Sequence, residues 1–298
     1  MSNLVLVPIF LLMGLIGQRI PQLPSRSAAT VSAYVIYIAL PSLILLEIPQ
    51  LPLSRFAALP IAMAWLVMAF SMGLTYIVSR VLSWSRPVTG ALLLVVSLGN
   101  TAFIGIPLVE THLGTSAVPY AILYDQFGSF LALATFGIGV AAYYAGDDVV
   151  SLGSLWRHIS RFPPFIALIC ALFLRYVDIP SWVMILLGDI AVTLAPAAML
   201  SVGLQWRLRL DVQHMQPFIV AHLIILVLAP GFAFLVTRVL GFNGIAANVS
   251  VLQAAMPAMI TAGTLATAHQ LEPRLANSIV GYSLMFSLLS VWLWSLIL

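Results

Sequence analysis

The sequence predicts an all-α membrane protein of ten transmembrane helices in two inverted five-helix repeats. Three observations carry that expectation. Apolar residues make up 62% of the 298 positions and charged residues 7%, where soluble domains carry about 25% charge. Hydropathy divides nearly the whole chain into apolar runs of the ~20-residue length that a span needs. Two of those runs are interrupted near their middles and lie at corresponding positions in the two halves.

In chain order the expected spans are 3–20, 28–48, 57–80, 87–113, 117–144, 163–177, 181–205, 215–238, 244–270 and 274–297. No positive charge precedes the first run, which continues to Arg19, so it reads as an uncleaved span rather than a signal peptide. Pro21 and Pro24 end it, and Pro49 and Pro52 end the second. Gly146-Asp147-Asp148 closes the fifth span, Pro163-Pro164 opens the sixth, Pro180 separates the sixth from the seventh, and Gly241-Phe242-Asn243-Gly244 separates the eighth from the ninth. The longest polar connection, 145–162, divides the chain into an N-terminal repeat, 1–144, and a C-terminal repeat, 163–298.

All 12 basic residues are Arg, and their placement predicts topology. Loops after odd-numbered spans hold nine of them and loops after even-numbered spans hold Arg55, Arg175 and Arg238. The positive-inside rule then puts the central linker in the cytoplasm and both termini outside, periplasmic in a bacterial inner membrane. Arginines spread over so many loops are a topology signal, not a nucleic-acid footprint. The lone Cys170, in an apolar run, rules out a disulfide framework and reads as a buried, inert thiol.

A shift of 158 residues aligns the halves. Val78-Ser79-Arg80-Val81-Leu82 falls on Val236-Thr237-Arg238-Val239-Leu240, Gly105 on Gly263, Tyr124 on Tyr282, and Gly99 on Pro257. With five spans per half, the second repeat must enter the membrane upside down, as in secondary carriers.

The interruptions matter because a broken helix strands backbone N–H and C=O groups that hydrocarbon cannot satisfy. Such breaks persist where they line a cavity, and paired breaks point to a binding site. In the fourth span the break is Gly99-Asn100-Thr101, with Pro107 as a second candidate hinge. Gly and Asn tolerate unwound backbone. In the ninth it is Pro257, flanked by Gln253 and Thr261. Gly99, Asn100, Thr101, Gln253, Pro257 and Thr261 are therefore the candidate substrate-binding residues, where half-helix N-termini favour an anion. The plainer reading is a kink whose polar side chains cap freed carbonyls. Asp125 and Asp189, both inside spans, are candidates for a coupling ion. His222 reads as a packing residue, and Glu47, Glu110, His112 and His269 as solvated helix ends. No phosphate loop, zinc spacing or nucleophile elbow is present, so catalysis and ATP-driven pumping are not expected, nor is any cofactor. A proton or a sodium ion could couple transport.

The segments SLGNTAFIGIPLVETHLG at 97–114, LYDQFGSFLALATFGIGV at 123–140, APAAMLSVGLQWR at 195–207 and LQAAMPAMITAGTLATAHQLEPRLANSIVGYSLMFSLLS at 252–290 resemble the auxin efflux carrier family in its bacterial form. The resemblance implies crossed fourth and ninth helices and transport of organic anions such as malate, malonate or auxin-like acids. It puts Asn100 and the backbone around Pro257 at the substrate carboxylate. Ala258 departs from it, where a polar residue would complete a symmetric pair. The expected mechanism has spans 1, 2, 6 and 7 as scaffold while the others move, by elevator or rocking motion. Expected partners are the lipid bilayer and the anion, with a second copy of the chain as a candidate. The alternatives are a bile-acid sodium symporter relative, a channel, or a membrane sensor that binds without transporting.

Overall fold

The computed structural model describes residues 3–24, 26–51, 57–146, 152–210 and 212–298; Pro52, Arg55 and the Asp147-Asp148 joint lie outside them. Those residues form thirteen helical segments: α1 (Asn3–Gly17), α2 (Ser27–Gln50), α3 (Ala58–Val81), α4 (Arg86–Ser97), α5 (101–113), α6 (Thr115–Ala145), α7 (Leu152–Ser160), α8 (Pro163–Leu174), α9 (Ser181–Gln205), α10 (Val212–Val239), α11 (Ile245–Ala254), α12 (Ile260–Ala268) and α13 (Pro273–Ser295). Six of them, α2, α3, α6, α9, α10 and α13, are long and apolar enough to cross a membrane. Their outer faces carry large exposed apolar side chains, among them Tyr37, Val81, Phe136, Val192 and Val239. Water would not tolerate that density of exposed apolar surface, but lipid does.

The expected 87–113 and 244–270 spans are each two helices. Ser85 caps α4 by accepting from the Val88 N–H, and Pro87 sits in the first turn, where a missing N–H costs little. The linker is not wholly irregular: α7 lies within it, and Ile159 docks with Phe130, Ala134 and the Phe162 and Phe165 rings.

Two packing groups emerge. In the first, α1 lies along the C-terminal half of α9, and α2 packs on α8 and α9. Gly14 and Gly203 make the α1–α9 crossing. A Cβ on Gly14 would stand 2.4 Å from the Leu200 carbonyl oxygen, and one on Gly203 would stand 2.2 Å from that of Leu11. Small residues let helices approach this closely where water supplies no driving force between them. The second group gathers α3, α4, α6, α10, α11, α12 and α13. Hydroxyls turn inward within it: Ser71, Thr75, Ser79, Ser250, Ser283 and Ser287 are all buried.

Candidate functional site

The breaks in the two interrupted helices meet. Backbone leaves α4 at Leu98 in an extended conformation, φ −115° and ψ 103°. Helix α11 ends at Ala254, and the chain is non-helical until Ile260. Gly99 and Ala258 lie side by side as an antiparallel bridge. Asn100 N–H donates to the Pro257 carbonyl at 2.8 Å, and Met259 N–H donates to the Leu98 carbonyl at 2.8 Å. These two bonds satisfy four of the groups the breaks would otherwise strand. Pro257 fits because it accepts here and its missing N–H is not required.

Three features differ from expectation. Glycine is not needed at 99 for its conformational freedom, since no break residue has positive φ and an added methyl would meet nothing closer than 3.7 Å. Pro107 does not interrupt its helix. It sits at the start of the α-helical part of α5, after a π-helical turn at Thr101–Gly105, where a missing N–H is tolerated. Thr261 lies on the exposed face of α12, and Thr264, one turn on, donates to its carbonyl.

Side chains from neighbouring helices hold the crossing. Asp125, 3% exposed on α6, accepts from the Thr101 hydroxyl at 2.6 Å and from the Gln126 amide at 2.6 Å. Gln253 donates to the carbonyls of Thr101 at 3.2 Å and Ala121 at 3.4 Å. It packs so tightly on α5 that a Cβ on Gly105 would be 2.2 Å from its Oε1. Ser283 on α13 accepts from the Ala258 N–H at 3.1 Å, supplying a polar group at the residue where Ala258 itself offers none. Asp125 and Ser283 stand at the same 158-residue offset as Gly99 and Pro257, and each is bonded to the break in its own half. Asn100 is 5% exposed, and its side chain hydrogen-bonds to nothing among the described residues. Asp189 is exposed on the N-terminal half of α9, which packs on α2; only the C-terminal half of α9 reaches α5. His222 is buried, with Nδ1 2.7 Å from the Phe218 carbonyl oxygen and its ring against Phe218 and Phe286. Cys170 is exposed on the outside of α8 rather than buried.

A cavity of ≈ 810 Å³ opens between the two packing groups. One end touches Ile104 in the first turn of α5, and Ala258, Ile260 and Thr264 around the start of α12. These are helix ends whose N–H groups lack intrahelical partners. The other end holds Arg207, Arg209 and Arg274. Gln205 lines one wall, tied by its amide to Ser32 and Ser201 at 3.2 and 3.0 Å. The loop bearing Arg207 is fixed by its neighbour Trp206, whose indole donates to the Gly281 carbonyl at 2.9 Å. Residue reading assigned the three arginines to topology alone; nothing local in the sequence shows that they converge.

The family model for membrane transport proteins matches residues 1–144 and 148–295. The chain belongs to this family. It is the auxin efflux carrier family to which the motifs pointed, and its members are membrane transporters. This membrane transport protein is 28% identical over 310 aligned positions to an uncharacterized transporter of Methanocaldococcus jannaschii, covering 100% of this chain and 98% of the relative. It is 25% identical over 295 positions to an uncharacterized transporter of Methanothermobacter thermautotrophicus, covering 98% and 96%.

Proposed function

We propose that this transporter is a secondary carrier of small organic anions, mono- or dicarboxylates of the malate, malonate or auxin-like class. The observation that carries the reading is the ≈ 810 Å³ cavity running from Arg207, Arg209 and Arg274 to the first turns of α5 and α12. Arginine pairs with carboxylate in a bidentate fork, and helix N-termini add about half a positive charge each. An anion entering between the arginines would pass toward increasing stabilisation at the crossing, with Asn100 supplying an unused amide. Gly99, Thr101 and Pro257 do not line the cavity; they hold from behind the crossing whose Ala258 and Ile260 do. Gln253 acts from below as a brace, and Thr264 takes the place first given to Thr261.

In this reading the chain has ten spans, with repeats 1–144 and 163–298 inverted about the linker 145–162. The group α1, α2, α8 and α9 is the scaffold, and the group containing the crossing moves against it by an elevator or rocking step. The cavity lies between those groups, which is where alternating access needs an opening. Its arginines follow odd-numbered spans and so face the cytoplasm; both termini face the periplasmic side of an inner membrane.

Uptake into proteoliposomes across a panel of radiolabelled carboxylates tests the proposal. Saturable uptake of at least one mono- or dicarboxylate, weakened at least tenfold by Arg274→Gln, is the expected result. Unitary currents would make the protein a channel, and binding without uptake would make it a sensor.

A further inference from the structure

A second, much smaller pocket of ≈ 30 Å³ lies on a different face of the crossing and shares no residue with the large cavity. It has room for about two water-sized species. Its lining inverts the chemistry of the large cavity. It carries no arginine and touches the opposite helix ends: Val96 and Ser97 close α4, and Ala254 closes α11. C-terminal turns present carbonyl oxygens without intrahelical partners and about half a negative charge each.

The side chains add unpaired oxygens. Ser97 Oγ and Gln253 Oε1 are buried without a hydrogen-bond partner among the described residues, and Gln253 is 1% exposed. The hydroxyls of Ser71, Ser129 and Tyr124 also line the pocket and are bonded to nothing among the described residues. A buried polar atom left unmatched costs about 1–3 kcal/mol, so the two buried atoms, with three further hydroxyls on the same lining, indicate an occupant. Nearby, Asp125 is bonded to Thr101, which lines the same pocket. No ion pair to Asp125 occurs among the described residues. Buried carboxylates are ordinarily paired or placed beside a metal.

We propose that this pocket binds one sodium ion. Neutral hydroxyl, amide and carbonyl oxygens with a single nearby carboxylate suit a monovalent hard cation; divalent ions of the calcium class recruit several carboxylates directly. The ion rests against the closed ends of α4 and α11, while the anion cavity touches the opening ends of α5 and α12, so both ligands bear on the same main-chain crossing. Cation binding stands by itself. Its use as the driving ion rests on the carrier reading above.

Purified full-length protein in detergent is titrated with sodium chloride and, in parallel, with potassium chloride, ionic strength being held constant with choline chloride, and unfolding is followed by tryptophan fluorescence. A saturable rise in the midpoint with sodium and none with choline is expected. Ser97→Ala and, separately, Ser129→Ala should each raise the half-saturating sodium concentration at least tenfold while eluting as folded protein. Asp125→Asn should do the same through the lost charge. A midpoint indifferent to sodium would mean the pocket holds water alone, and a response equal in sodium and potassium would mean a non-specific salt effect; either overturns the site. So does a sodium response unchanged in all three variants. Carboxylate binding measured in sodium-free choline buffer reports on the anion cavity independently, so the two assignments can fail separately.

Discussion

Asn100 is the crossing residue whose backbone is committed and whose side chain is free. Its N–H is bonded to Pro257 and its carbonyl accepts from Gly105 N–H, while the amide hydrogen-bonds to nothing among the described residues. Asn100→Ala should therefore leave folding intact and weaken carboxylate uptake at least tenfold, since a hydrogen bond to a charged group is worth about 1.5–3 kcal/mol. Uptake kinetics on monodisperse protein check this. Ser283 has the opposite character. Its hydroxyl is the partner of the buried Ala258 N–H, so Ser283→Ala leaves a donor unmatched and should lower stability by about 1–3 kcal/mol. Denaturant titration reads that loss, and Ser283→Thr should recover it. The sequence announced Asn100, because a Gly-Asn pair inside an apolar run is conspicuous. It gave no sign of Ser283, a serine inside an unremarkable apolar helix, whose role depends on α13 packing behind the break.

At the scale of elements, both interrupted helices were legible in the sequence, because Pro and Gly-Asn conflict with hydrocarbon burial. Their non-helical breaks lie at 98–100 and 255–259. The detail inside α5 was not legible. A proline reads as a hinge, but Pro107 follows a π-helical turn and sits where its ring is harmless. The α1–α9 contact was equally silent, since Gly14 and Gly203 are individually ordinary. It yields a sharp prediction. Gly203→Leu forces a side chain into the space held by the Leu11 carbonyl and Gly14, and overpacking of this kind costs about 1–3 kcal/mol or more. Poor yield or a clearly lowered unfolding midpoint is expected, whereas Gly139→Leu, with nothing within 4 Å of its Cβ, should be near neutral.

For the whole molecule, composition and hydropathy were enough to place it in lipid. What they could not reveal is that arginines distant in sequence, Arg207, Arg209 and Arg274, share one cavity. Loop charges carry topology, and their convergence exists only after α13 docks the 206–210 loop. Topology is itself testable. In a Cys170→Ser background, Arg209→Cys should react with a membrane-impermeant maleimide only from the cytoplasmic side, and Asn243→Cys only from outside. The reverse labelling would invert the assignment and turn the arginine cavity outward.

The bonds between Leu98–Asn100 and Pro257–Met259 are made by main chain alone. No side-chain substitution can delete them, and neither strand can slide without shedding both. Under the carrier reading, two broken helices joined in this way would travel as one piece, and the flexing that a transport stroke demands would fall at their borders. Cargo preference can then be rewritten residue by residue while the knot at the centre stays tied.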